Sequence, residues 1–118
     1  MKLGFIGTGK IASSVITGIC KSTIRYDEIL ISERNKKTSS QLKKKYKKIK
    51  IFKNNQEIID KSDWVFLSIA PEVGKKVIKT LNFRSEQTII SFISTINLSD
   101  LKKSIKVKAK IIRAIPLP

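Results

Sequence analysis

Three small residues near the start of the chain are spaced to receive a diphosphate. Gly7, Gly9 and Ala12 stand as G-x-G-x-x-A within KLGFIGTGKIA, between Lys2 and Ala12. In such a turn the first glycine permits the sharp bend off a strand. The second lets a pyrophosphate approach the backbone, and the small third residue lets the new helix pack on the strand. The free N–H groups and positive dipole end of that helix then face the same anion. A glycine turn alone is a weak signal. Here an apolar strand precedes it and a helical pattern follows, which is the context a dinucleotide site requires.

A second polar group falls where the next strand should end, in Ser32-Glu33-Arg34-Asn35. A domain that binds NAD usually places an acid at this point to accept from the adenosine ribose 2′-hydroxyl, and Glu33 is available for that. Ser32 lies nearer the expected spacing, and Arg34 with Asn35 suits a 2′-phosphate. The guanidinium offers a planar fork of donors and can lie over the adenine face. The cluster therefore favours NADP, with NAD as the second choice. A purely structural reading stands beside it, with Asn35 or Ser32 capping a helix and Arg34 solvated.

The elements that must position these residues follow from periodicity. Leu3–Ile6 reads as a buried strand, and Lys10–Lys21 as a helix with Ile11, Val15, Ile16 and Ile19 at helical spacing. Glu28–Ser32 has the continuous apolar centre of a strand covered on both faces. A basic helix is predicted over Lys36–Lys48, anchored chiefly by Leu42 and Tyr46, then a short edge strand over Ile49–Phe52 and a brief helix over Asn54–Asp60. Asp63–Ile69 is the most apolar strand. Ala70 and Pro71 stop it, and Pro71 suits the first turn of a helix continuing through Glu72–Leu81. A fifth strand over Gln87–Ile93, a short helix capped by Asn97 or Ser99 and ending near Lys103, and a sixth strand over Lys110–Ile115 complete the pattern. The expected architecture is α/β: a doubly wound, mostly parallel six-stranded sheet of the Rossmann type, in the order 3-2-1-4-5-6. Ligand would lie over the C-terminal ends of strands one and four, where Gly7–Gly9 and Ser68–Pro71 come side by side.

Composition bounds the rest. At 118 residues the chain makes one domain, expected to span residues 1–118. No apolar run approaches the ~20 residues of a membrane span, and Leu3–Ile6 is too short for a secretory signal. The single cysteine, Cys20, cannot close an internal disulfide and is expected to be a buried small apolar residue. The chain has no histidine, so no metal site is expected. A cytoplasmic setting follows most simply. The net charge of +16 invites a nucleic-acid partner, but the lysine clusters lack interleaved aromatics and no nucleic-acid motif accompanies them. A basic surface that favours anionic ligands is the preferred explanation.

Several stretches together resemble one family, the pyrroline-5-carboxylate reductases: FIGTGKIASSVITGI (Phe5–Ile19), ISERN (Ile31–Asn35), Asn55 in NNQEII, DWVFLSIAP (Asp63–Pro71) and IIRAIP (Ile111–Pro116). The resemblance implies NADPH-dependent reduction of a cyclic imine in proline synthesis. It implies that the loop of Ile6, Gly7, Thr8, Gly9, Lys10, Ile11 and Ala12 holds the pyrophosphate. Ser32, Arg34 and Asn35 would hold the 2′-phosphate and adenine end, and Asn55 would approach the adenosine ribose. Ser68, Ile69, Ala70 and Pro71 would line the path toward nicotinamide. No side chain of this chain is expected to be catalytic, because hydride chemistry belongs to the cofactor; Ser94, Thr95 and Asp100 read as turn and cap residues. The resemblance further implies a helical second domain, absent from these residues, that dimerises and supplies most of the pocket for the imine. Homo-oligomers are expected only with it.

Two departures from the family pattern fall where cofactor and substrate would meet. Ala70 stands where the family usually has Lys, and Ile115-Pro116-Leu117-Pro118 stands where it usually reads Met-Pro-Asn-Thr-Pro. Alternatives within the Rossmann oxidoreductases are a ketopantoate or deazaflavin-dependent NADP reductase and a hydroxyacid dehydrogenase; an alternative of another class is a non-catalytic basic binding protein.

Overall fold

The computed structural model describes residues 1–33 and 35–115. Among them, strands and helices alternate as β1 (Lys2–Ile6), α1 (Lys10–Lys21), β2 (Glu28–Ser32), α2 (Lys36–Lys45), β3 (Ile49–Phe52) and α3 (Asn55–Lys61). They continue as β4 (Trp64–Leu67), α4 (Pro71–Lys79), β5 (Thr88–Ser91), α5 (Leu98–Ile105) and β6 (Lys110–Arg113). The strands form one six-stranded sheet in the order β3-β2-β1-β4-β5-β6, and each neighbouring pair is parallel. This is the predicted doubly wound order.

The alternation of side chains along the strands splits the core in two. Leu3, Phe5, Ile29, Ile31, Ile49 and Phe66 face α1 and α2, where they meet Ala12, Ile16 and Leu42. Ile6, Leu30, Val65, Leu67 and Ile89 face the other way, toward Ile58, Ile59, Ile78, Leu101 and Ile105 of α3, α4 and α5. Right-handed crossovers dictate this division. The chain steps outward from β1 to β3 with its helices on one face, then returns through α3 on the opposite face to begin β4. The two halves therefore diverge between β1 and β4, which opens a crevice above their C-terminal ends.

Several element ends differ from the sequence pattern, each for a local reason. The helix predicted to Lys48 stops at Lys45, because Tyr46 is extended and its N–H closes the last turn on Leu42 O at 3.0 Å. The fourth strand ends at Leu67 rather than Ile69, so Ser68–Ala70 leave the sheet, and Pro71 opens α4. Asn97, not Ser99, caps α5, which runs past Lys103 to Ile105 and ends at Lys106 in the left-handed region. The last ladder pair of β5 and β6 is Ser91 with Arg113, which makes both strands shorter than predicted. Cys20 is half-buried rather than buried, and its Sγ accepts from the Tyr26 hydroxyl at 3.3 Å.

Candidate functional site

The strand-to-helix turn after β1 is locked to the end of β4. Gly7 has φ +100°, and a Cβ there would stand 2.6 Å from the Ser68 carbonyl oxygen. Both the backbone conformation and the close approach therefore require glycine. Ser68 completes the join: its N–H donates to Ile6 O at 2.9 Å, and its hydroxyl lies 3.3 Å from Ile6 O and 3.2 Å from Gly7 O. The two stretches that the sequence placed side by side are thus physically connected at the mouth of the crevice.

Gly9 is different in kind. It is the N-cap of α1 with φ −78°, a conformation any residue adopts, and a Cβ there would meet nothing within 4 Å. The protein's own packing gives no reason for glycine at this position. Open space directly above the first turn of a helix with unsatisfied N–H groups fits a diphosphate. Thr8, between the two glycines, is only 4% exposed, and its Oγ1 has no hydrogen-bond partner among the described residues. On these observations the turn fits a dinucleotide.

Around this turn the surface opens into two adjoining clefts. One, of about 270 Å³, is lined by Gly7, Thr8, Gly9, Asn35, Ser68, Ile69, Ala70 and Val73. The other, of about 340 Å³, runs from Gly9, Lys10 and Ile11 past Ser68–Pro71 to Phe92, Ile93 and Ser94. In the opposite direction, a polar groove leads from Gly9 and Asn35 between α1 and α2, where Ser13, Ser14, Thr38 and Gln41 face it.

Most residues singled out from the sequence lie in or under these clefts, in differing roles. Ile6 and Ala12 are fully buried, so they shape the turn and leave the ligand-facing surface to Gly7, Thr8, Gly9, Lys10 and Ile11. Asn35 is at once the helix cap and a crevice residue, for its side chain accepts from Thr38 N at 3.2 Å while it lines two of the spaces. Ser32 is buried at the end of β2. Asn55 is half-buried in the first turn of α3 and lines neither cleft. Arg34, and Pro116 to Pro118, lie outside the described residues.

Val73, Phe92, Ile93 and Ser94 were not picked out as site residues, and Ser94 read as a turn residue. All four line the clefts. The signal for the last three was available in the sheet order: they follow β5, whose C-terminal end adjoins that of β4. Among the described residues, no group of three or more His, Cys, Asp or Glu side chains is placed to hold a metal ion. No described helix is long and apolar enough to cross a membrane.

The parallel sheet with its switch point, the glycine turn and the open helix start define an NAD(P)-binding domain of the Rossmann type. Residues 2–95 match the family described as NADP oxidoreductase, coenzyme F420-dependent, and the chain belongs to that family. Among curated relatives it is similar to pyrroline-5-carboxylate reductase 3 of Danio rerio, 27% identical over 119 residues, covering 98% of this chain and 41% of the relative. Among solved structures it resembles 1-pyrroline-5-carboxylate reductase from Streptococcus pyogenes, with a TM-score of 0.77 and 32% identity over 98% of this chain and 42% of that one. The Plasmodium falciparum pyrroline carboxylate reductase with NADP bound shares the fold, with a TM-score of 0.82 at 22% identity, over 98% of this chain and 42% of that one. The chain spans 38–44% of the length of the curated relatives it matches.

Proposed function

We propose that this chain is the NADP-binding domain of a reductase of the pyrroline-5-carboxylate reductase type. The observation that carries the reading is the open space over Gly9, where a Cβ would meet no protein atom within 4 Å, at the start of α1 and beside the Ser68-locked turn. The names of its relatives point the same way. In this reading the α1 N–H groups and Thr8 receive the diphosphate, and Arg34 with Asn35 and Ser32 holds the adenosine 2′-phosphate. Asn55 serves the adenosine ribose from the neighbouring edge of the sheet. The groove past Ser14 and Thr38 takes the adenosine end, and the cleft bounded by Ser68–Pro71 and Phe92–Ser94 takes the nicotinamide. When bound, NADPH supplies the hydride chemistry; these residues orient it and shield one side from water.

A second, helical domain in the complete protein would dimerise and close over the imine substrate, since relatives are more than twice as long. The same reading keeps the protein cytoplasmic, acting on a small molecule and not on nucleic acid. Calorimetric titration with NADP and NAD tests the cofactor. NADP should bind more tightly, and Arg34→Ala should remove roughly 1.5–3 kcal/mol of that affinity while sparing NAD. Equal affinities in the wild type would remove the 2′-phosphate role.

The family description favours one competing substrate class, a deazaflavin that exchanges a hydride with the nicotinamide, reduced deazaflavin giving it to NADP+ or NADPH giving it to the oxidised form. Turnover by the complete protein with pyrroline-5-carboxylate, and none with the deazaflavin, supports the imine reading. The reverse result overturns it.

A further inference from the structure

The cleft that extends past Pro71 has one wall made by the segment between β5 and α5, and that wall is anchored from outside. At its near end the Phe92 N–H donates to Leu67 O at 2.9 Å, and the buried Ser91 hydroxyl accepts from Ile93 N at 3.2 Å. At its far end Asn97 caps α5 by accepting from Asp100 N at 2.8 Å. Between these anchors lies Ser94, which is exposed and faces the cleft. Its carbonyl oxygen accepts from Nη2 of Arg113 at 2.9 Å, nineteen residues along the chain.

Arg113 is itself held in place. It forms the last ladder pair with Ser91, and the following residue, Ala114, donates to Ser91 O at 2.9 Å. The guanidinium therefore spans from a fixed strand end to the middle of the loop. The geometry points to Arg113 as a positioning residue that sets the nicotinamide end of the cleft by holding the Phe92–Ser94 wall. This assignment rests on the cofactor reading above.

An arginine is suited to this task in a way that other cations are not. The exposed guanidinium donates one N–H, from Nη2, to the Ser94 carbonyl and is more weakly hydrated than a lysine ammonium, which is a flexible, strongly hydrated point charge. Nothing in the arrangement touches the other end of the site. Gly7, Thr8 and Asn35 line the companion cleft, which Phe92–Ser94 do not reach. Loss of the anchor should therefore be felt only by a ligand that extends past Gly9 toward Ser94.

The test compares two ligands on the same chain by calorimetry: NADPH, and 2′,5′-ADP, which lacks the nicotinamide half. Arg113→Ala is expected to weaken NADPH roughly ten-fold while 2′,5′-ADP stays within about two-fold. Arg113→Lys is expected to fall between wild type and the alanine variant for NADPH. The ratio of the two affinities cancels the change in overall charge, which acts on both ligands. It also separates positioning from a general loss of structure, which would weaken both ligands together. An unchanged NADPH affinity in Arg113→Ala, or an equal loss for both ligands, overturns the assignment alone. A wild-type chain that binds neither ligand overturns the cofactor reading together with it.

Discussion

Gly7 and Gly9 stand two residues apart in one motif, yet the structure assigns them opposite sensitivities. Replacing Gly9 with alanine puts a methyl group into space where no protein atom lies within 4 Å. Alanine restricts the unfolded chain, which stabilises by about 0.4–1 kcal/mol at a compatible φ. Alanine is also a poorer N-cap than glycine, by about 0.5–1 kcal/mol. The two terms oppose each other, so the melting temperature should move by no more than roughly 2 °C. Ligand affinity should behave otherwise, because the methyl occupies the approach of the diphosphate to the backbone. A loss of about ten-fold or more in NADPH affinity is expected.

Gly7→Ala reverses this pattern. A side chain at φ +100° is strained by about 1–3 kcal/mol, and its Cβ would stand 2.6 Å from a backbone oxygen that cannot easily retreat. Stability should fall by roughly 10 °C, with affinity lost as a consequence. Gly18→Ala serves as the control. It lies inside α1 with nothing within 4 Å of a Cβ, so it should raise stability by about 0.5–1 kcal/mol and leave binding alone. Thermal melts and NADPH titrations on the three variants supply the whole comparison. If Gly9→Ala binds NADPH as tightly as wild type, the diphosphate does not settle on this turn and the reasoning fails.

Two further outcomes concern the scaffold. The buried Gln87 amide donates to Ile59 O at 2.7 Å and to Ser62 O at 2.9 Å, closing the C-terminal end of α3. Gln87→Leu should strip the Arg84 N–H of its acceptor, the Gln87 Oε1 at 2.8 Å, while the Arg84 guanidinium keeps a bond to each of those carbonyls, so it should cost about 1–2 kcal/mol in urea unfolding without altering cofactor affinity; no measurable loss would mean that water replaces the amide. Burial, reinforced by the bond to Cys20, pushes the Tyr26 hydroxyl up to about 12 from its ordinary 10.0. The unfolded chain then ionises first, so the contribution of Tyr26 to stability is complete below pH 10 and is lost as pH rises toward 12. The stability difference between wild type and Tyr26→Phe should narrow across that range, and a difference that is flat with pH would refute the shift.

The cofactor turn was legible because its demands are local. A strand, a left-handed glycine, an open helix start and a small third residue are all set within a dozen positions. The strands were legible for a similar reason: a sheet covered on both faces needs apolar residues at consecutive positions, as in EILIS and WVFL. Element ends were less so: Tyr46 closes the last turn of α2 through a backbone bond that composition does not express, and β4 ends at Leu67 although the apolar run continues to Ile69. Ser94 sits in a turn, as its residue type suggested, but its place in the cleft was not legible, for a deeper reason. As a residue type in a loop it looks like any turn serine, and its place in the cleft depends on β5 lying beside β4.

Sequence alone determined the order and type of the elements, the parallel sheet, and the anion-seeking character of the first turn. These follow from side-chain period and backbone sterics, which act over a few residues. The three-dimensional fold decided which distant groups bond at the crevice: the Ser68 hydroxyl with the Gly7 carbonyl, and the Arg113 guanidinium with the Ser94 carbonyl. Hydrogen bonds between residues tens of positions apart exist only once the core has fixed the strands in register. No local pattern encodes them.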